Sequence, residues 1–158
     1  MSQSSVQILR ESLEKKNRVL DEIIRENGVQ EKILGAEELD MDALDASTDR
    51  LASLAEQLEQ LDDGFEALYD RTREELVANK ESYRGEIKVM QGLIGQITDK
   101  VVKINAARMR NERQAKVQFQ KTRDQIGKAA SKVRASRNYY NNMNRLNYVG
   151  PQFYDNKK

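Results

Sequence analysis

The sequence predicts an all-α protein: an elongated antiparallel helical bundle or coiled coil of three long helices with a flexible C-terminal tail. Three observations lead there. The only proline among 158 residues is Pro151, so nothing upstream carries a proline break. Charged residues make up 34% and hydrophobic ones 38%, too polar for a thick core but suited to long, mostly solvated helices. The apolar residues recur at spacings of three, four and seven over long stretches.

Helix 1 is expected over about 4–34. Ser4-Ser5-Val6-Gln7 reads as a capping box, and Val6, Leu9, Leu13, Leu20, Ile23, Ile24 and Leu34 share one face, with Lys16 and Asn27 as polar interruptions. Asn27-Gly28 allows a kink. Gly35 closes this helix and Asp40 caps the next, with Leu39 and Leu44 placed as a hydrophobic staple.

Helix 2, about 41–79, carries the clearest seam. Leu44, Leu51, Leu58 and Phe65 repeat every seven residues, and Leu54, Leu61 and Leu68 form the second row expected of a two-row seam. Asp62-Asp63-Gly64 is a candidate break. Helix 3, about 82–136, opens on Tyr83, Ile87, Met90, Ile94, Ile97, Val101 and Ile104; after Ile104 its seam thins to Phe119, Ile126 and Val133. These three helices define a bundle domain over 1–137, and residues 138–158 read as an aromatic-rich flexible tail. That tail holds five of the nine aromatic residues, Tyr139, Tyr140, Tyr148, Phe153 and Tyr154, an enrichment that points to ordering on a partner.

Charge is distributed unevenly along the chain. Residues 1–81 hold 10 Lys/Arg and 21 Asp/Glu, net −11, whereas residues 82–158 hold 17 and 5, net +12. An acidic helix 2 beside a basic helix 3 is therefore expected to form an antiparallel pair. In that pairing helix 3 reaches the end of helix 2 near residue 120, and the stretch from 120 to 135 would project by about 24 Å with one apolar row of Phe119, Ile126 and Val133. A partner helix laid along that row is the natural occupant.

Several chemistries are disfavoured. The chain has neither cysteine nor histidine, so thiol, imidazole and soft-metal chemistry lack their residues. Asp40, Asp42 and Asp45 resemble the start of a calcium loop, but Leu44, Asp45 and Leu51 stand where the remaining ligand, glycine and glutamate positions fall. No enzyme activity and no cofactor are expected. Twelve Lys/Arg between Lys100 and Arg137 raise nucleic-acid binding as an alternative, but the charges spread around the helix and form no recognised motif. A single sparse apolar row without tryptophan argues against a membrane surface, and no segment has the length and apolarity for membrane insertion. With no secretory leader legible at the amino terminus, the chain reads as cytoplasmic.

The opening amphipathic helix, the segment Leu39-Asp40-Met41-Asp42-Ala43-Leu44, the leucine seam of helix 2, the basic third helix, and the endings Tyr-Tyr-Asn-Asn-Met (139–143) and Pro-Gln-Phe-Tyr-Asp-Asn-Lys-Lys (151–158) together resemble the FlgN-type flagellar export chaperones, in particular the clostridial-type members. That resemblance spans the full length. It implies a cytoplasmic helical chaperone that binds flagellar hook-associated (hook–filament junction) proteins, prevents their premature assembly and delivers them to the type III export apparatus. It also implies that the C-terminal region clasps the client, which maps onto Phe119, Ile126, Val133, Tyr139 and Phe153. A tyrosine near the end, Tyr140 or Tyr148, would meet the export gate protein. The rival expectation from the same seams is a generic coiled-coil scaffold or homo-oligomer, and a homodimer is compatible with either.

Overall fold

The computed structural model describes residues 4–121 together with 134, 135 and 137. Within them the chain forms three long helices and no strand: α1 (Ser5–Leu34), α2 (Met41–Ala78) and α3 (Arg84–Lys121). They assemble as a helical bundle.

Both caps read from the sequence are present. The Ser4 hydroxyl accepts the Gln7 N–H at 3.1 Å, and the Asp40 carboxylate accepts the Ala43 N–H at 3.0 Å, each satisfying a donor that the first turn leaves without an intrahelical partner. Gly35 ends α1 with its N–H on the Glu31 carbonyl at 2.9 Å. Leu39 packs on the cluster that contains Leu44, as the staple requires.

Neither internal glycine signal interrupts a helix: α1 is continuous through Asn27-Gly28 and α2 through Asp62-Asp63-Gly64. Burial on one face outweighs the roughly 1 kcal/mol that a helical glycine costs relative to alanine. A side chain added at Gly64 or Gly92 meets nothing within 4 Å. Gly64→Ala and Gly92→Ala are therefore expected to stabilise the fold by about 0.5–1 kcal/mol each, read as a rise in the thermal unfolding midpoint.

The packing corrects the expected pairing. Helix α1 is the one that lies closely against both others. It runs antiparallel to α2, as Lys16–Asp62 and Glu26–Arg50 show, and parallel to α3, as Arg10–Glu86 and Asp21–Lys100 show. Helix α1 carries six acidic and six basic residues, so it can answer charges on both sides; α2 has 11 acidic and 3 basic residues, and α3 has 3 and 9. The acidic and basic helices are thus joined through a neutral one. Side chains from all three meet in one core that includes Leu9, Leu20, Leu58, Phe65, Met90 and Ile104.

The second row of the α2 seam is also corrected. Beside Leu44, Leu51, Leu58 and Phe65, the buried row is Thr48, Ala55, Asp62, Tyr69 and Leu76, while Leu54, Leu61 and Leu68 sit half-buried at the flank. Rows three and four residues after a seam position lie on opposite sides of it, and leucine content alone does not say which side the other helices occupy. Asp62 decides it, because it meets the buried Lys16.

Candidate protein-binding surface

Phe119, expected at the root of a free apolar row, is a core residue. It is only 8% exposed and packs with Leu34, Leu44 and Ala115. The connection between α1 and α2 folds over this end of the bundle. There Gln118 donates from Nε2 to the Leu34 carbonyl at 2.8 Å and to the Ala36 carbonyl at 2.7 Å. Phe119 is thereby removed from the client surface expected of it. Ile126, Val133, Tyr139, Tyr140, Tyr148 and Phe153 lie outside the described residues.

The overhang expected beyond residue 120 lies almost wholly outside the described residues. Arg137 forms an ion pair with Glu112. Glu112 is also reached by Arg108 one turn earlier, at 3.2 Å. One of the few acids of the basic stretch thus anchors two arginines.

The thinning of the α3 seam after Ile104 has a physical explanation. Ile104, Asn111 and Gln118 follow one another at sevenfold spacing, and all three are buried. Asn111 donates from Nδ2 to the Asn27 carbonyl at 3.1 Å, and Gln118 binds the Leu34 carbonyl, so the seam continues with polar side chains that hydrogen-bond the backbone of α1. The signal was present in the sequence: Leu20, Asn27 and Leu34 of α1 keep the same period. An apolar count passes over both amides.

Two surface features stand apart from this core. Between α1 and α2 lies a shallow cleft of ≈ 320 Å³, bordered by Glu22, Glu26, Val29, Ser53 and Leu54. Its most enclosed acid, Glu26, accepts hydrogen bonds from Arg50 Nε at 2.7 Å, Arg50 Nη2 at 3.1 Å and the Ser47 hydroxyl at 2.8 Å. Burial pushes the Glu26 carboxyl up, but the hydrogen bonds from Arg50 and Ser47, with the Arg50 charge, outweigh it and hold the carboxyl below its ordinary value. This is a clamp between helices, with its charge already answered.

The other feature is the outer face of α3. Val102 is 65% exposed, Met109 53% and Val117 46%, and Ala106 and Arg113 are exposed between them. Positions 102, 106, 109, 113 and 117 fall on one side of a helix. Lys103, Arg110 and Lys116 border this line and are exposed too.

Among the described residues no group of three or more Asp or Glu is arranged to hold a metal ion, and no helix is long and apolar enough to cross a membrane. No protein-family model matches this sequence, and no curated protein or solved structure matches it.

Proposed function

We propose that this chain is a cytoplasmic client-binding chaperone of the flagellar type III export pathway, holding hook-associated proteins unassembled until they are handed to the export gate. The observation that carries this reading is where the bundle closes. The seam of α1, α2 and α3 is filled from Val6 and Leu76 at one end to Leu34, Leu44 and Phe119 at the other, and the α1–α2 connection seals that end. The sequence then continues for 37 residues beyond Lys121, and these contain Ile126, Val133 and the aromatic tail. The aromatic enrichment of that segment is what a stretch that orders on a partner requires.

The resemblance in the Leu39–Leu44 segment and in the two C-terminal motifs supplies the identity of the partner. The chemistry required is masking. Export clients end in amphipathic helices that polymerise when exposed, and covering them at roughly 25 cal/mol per Å² of apolar area supplies the binding energy. A partly polar interface keeps that binding reversible, since much of the gross energy offsets the cost of association. Neither a nucleotide nor a reactive group is needed.

Co-expression with the hook–filament junction proteins of the source organism, followed by size-exclusion chromatography with light scattering, tests this. A defined heterocomplex is expected, and deletion of residues 138–158 is expected to weaken it without unfolding the bundle. Self-association alone, with no junction protein retained, would establish the scaffold reading instead.

A further inference from the structure

We infer that the outer face of α3, along Val102, Ala106, Met109 and Val117, is a docking surface for an acidic amphipathic helix of a partner protein; this rests on the reading of the chain as a client-binding protein.

The face is unusual for this molecule in two independent ways. Three of the seven large apolar side chains left exposed among the described residues lie on it, in a line about 22 Å long, whereas Ile8, Val29, Val77 and Val89 are scattered singly, as on most surfaces. Most of its charges are also unanswered among the described residues. Lys100 and Arg108, at the edges where α3 meets the bundle, are paired with Asp21 and Glu112. Lys103, Arg110, Arg113 and Lys116 make no ion pair among the described residues. An apolar line flanked by unpaired cations suits a helix whose own apolar line is flanked by carboxylates.

Charge excludes the nearer occupants. Residues 138–158 carry Arg145, Lys157 and Lys158 against Asp155, a positive balance that does not complement the cations of this face. A second copy presenting its α3 brings like charge to like charge. A second copy presenting its acidic α2 has only the half-buried flank of Leu54, Leu61 and Leu68 to offer, because Leu44, Leu51, Leu58 and Phe65 are already buried in its own bundle, and self-association in place of peptide binding would overturn the choice of occupant. Nucleic acid would use the cations and leave the apolar line bare. A membrane surface would ask for a denser apolar face with aromatic anchors than three aliphatic side chains provide.

The experiment uses the full chain and a synthetic peptide probe, an amphipathic helix with a leucine line flanked by glutamates, beside a twin flanked by lysines. Fluorescence anisotropy is expected to show binding of the glutamate peptide alone, weakening as salt is raised. Met109→Glu is expected to reduce that binding roughly tenfold or more, with the thermal midpoint unchanged because Met109 is exposed. Arg110→Glu combined with Arg113→Glu should act in the same direction. Equal binding of the lysine peptide, or binding unchanged by Met109→Glu, would overturn the surface. So would Met109-dependent binding to anionic vesicles or duplex DNA with no binding of the peptide. Junction protein as a second ligand separates the two readings. If it is retained equally by wild type and Met109→Glu, the surface falls and the chaperone reading stands. If no junction protein is held while the peptide binds through Met109, the surface stands and the chaperone reading falls.

Discussion

Asp62→Ala is expected to destabilise the bundle by about 3–5 kcal/mol, the cost of leaving one member of a buried ion pair without its partner. Lys16 Nζ lies 2.9 Å from Asp62 Oδ1, and both side chains are almost wholly enclosed. They occupy the seam between the apolar layers of Leu13 and Phe65 on one side and Leu20 and Leu58 on the other. Once the carboxylate is gone, the ammonium must stay buried unpaired, deprotonate, or pull the helix ends apart to reach water. Lys16→Met is expected to cost a similar amount, whereas the double variant Lys16→Met/Asp62→Leu, with both charges replaced by apolar volume, is expected to be about neutral or more stable than wild type. Urea unfolding followed by circular dichroism checks all three, and additive losses in the double variant would refute the coupling. The pair also sets register. Sliding α2 by one heptad against α1 would place Lys16 opposite Ala55 or Tyr69 and strand it without a counterion.

Phe119→Ala is expected to cost about 3 kcal/mol, at the lower end of the range for emptying a buried aromatic site because this cluster sits at the end of the bundle. Leu34, Leu44 and Ala115 would then face a cavity. Unfolding by urea reads the loss directly. Retention of a client by the folded variant, measured at low temperature, is expected to be unchanged, since Phe119 faces inward. The opposite pattern, intact stability with lost client binding, would restore Phe119 to the binding surface and overturn its placement in the core.

These two residues also show how legible the molecule was. Three long helices followed from the absence of internal proline and from the sevenfold leucines, because a helix needs only local hydrogen bonds and one apolar face. Ser4 and Asp40 were readable as caps for the same reason: capping is decided within four residues. Lys16 and Asn27 were visible as interruptions of the α1 face, yet nothing local shows that Lys16 is matched by Asp62 46 residues later or that the Asn27 backbone carbonyl accepts from Asn111 84 residues later. Their burial depends on which helix lies opposite.

The candidate surface fared similarly. Its chemistry, basic and amphipathic, was written in α3 from Lys100 onward, but the expected row of Phe119, Ile126 and Val133 began on a residue that the α1–α2 connection seals. The exposed line of Val102, Met109 and Val117 was passed over because apolar residues on a helix look alike until the covered side is known.

By itself, then, the sequence determined element type, the ends of α1 and α2, the lack of cysteine and histidine side chains, and the separation of acidic from basic helices, all properties of residues taken a few turns at a time. Tertiary structure alone decided that neutral α1 is the shared partner, that Thr48, Ala55, Asp62 and Tyr69 rather than Leu54, Leu61 and Leu68 complete the α2 seam, and that α3 turns Phe119 inward and Val102 and Met109 out. The physical reason is that a helix can bury only the faces its neighbours cover, and the placement of those neighbours is set jointly by all three helices.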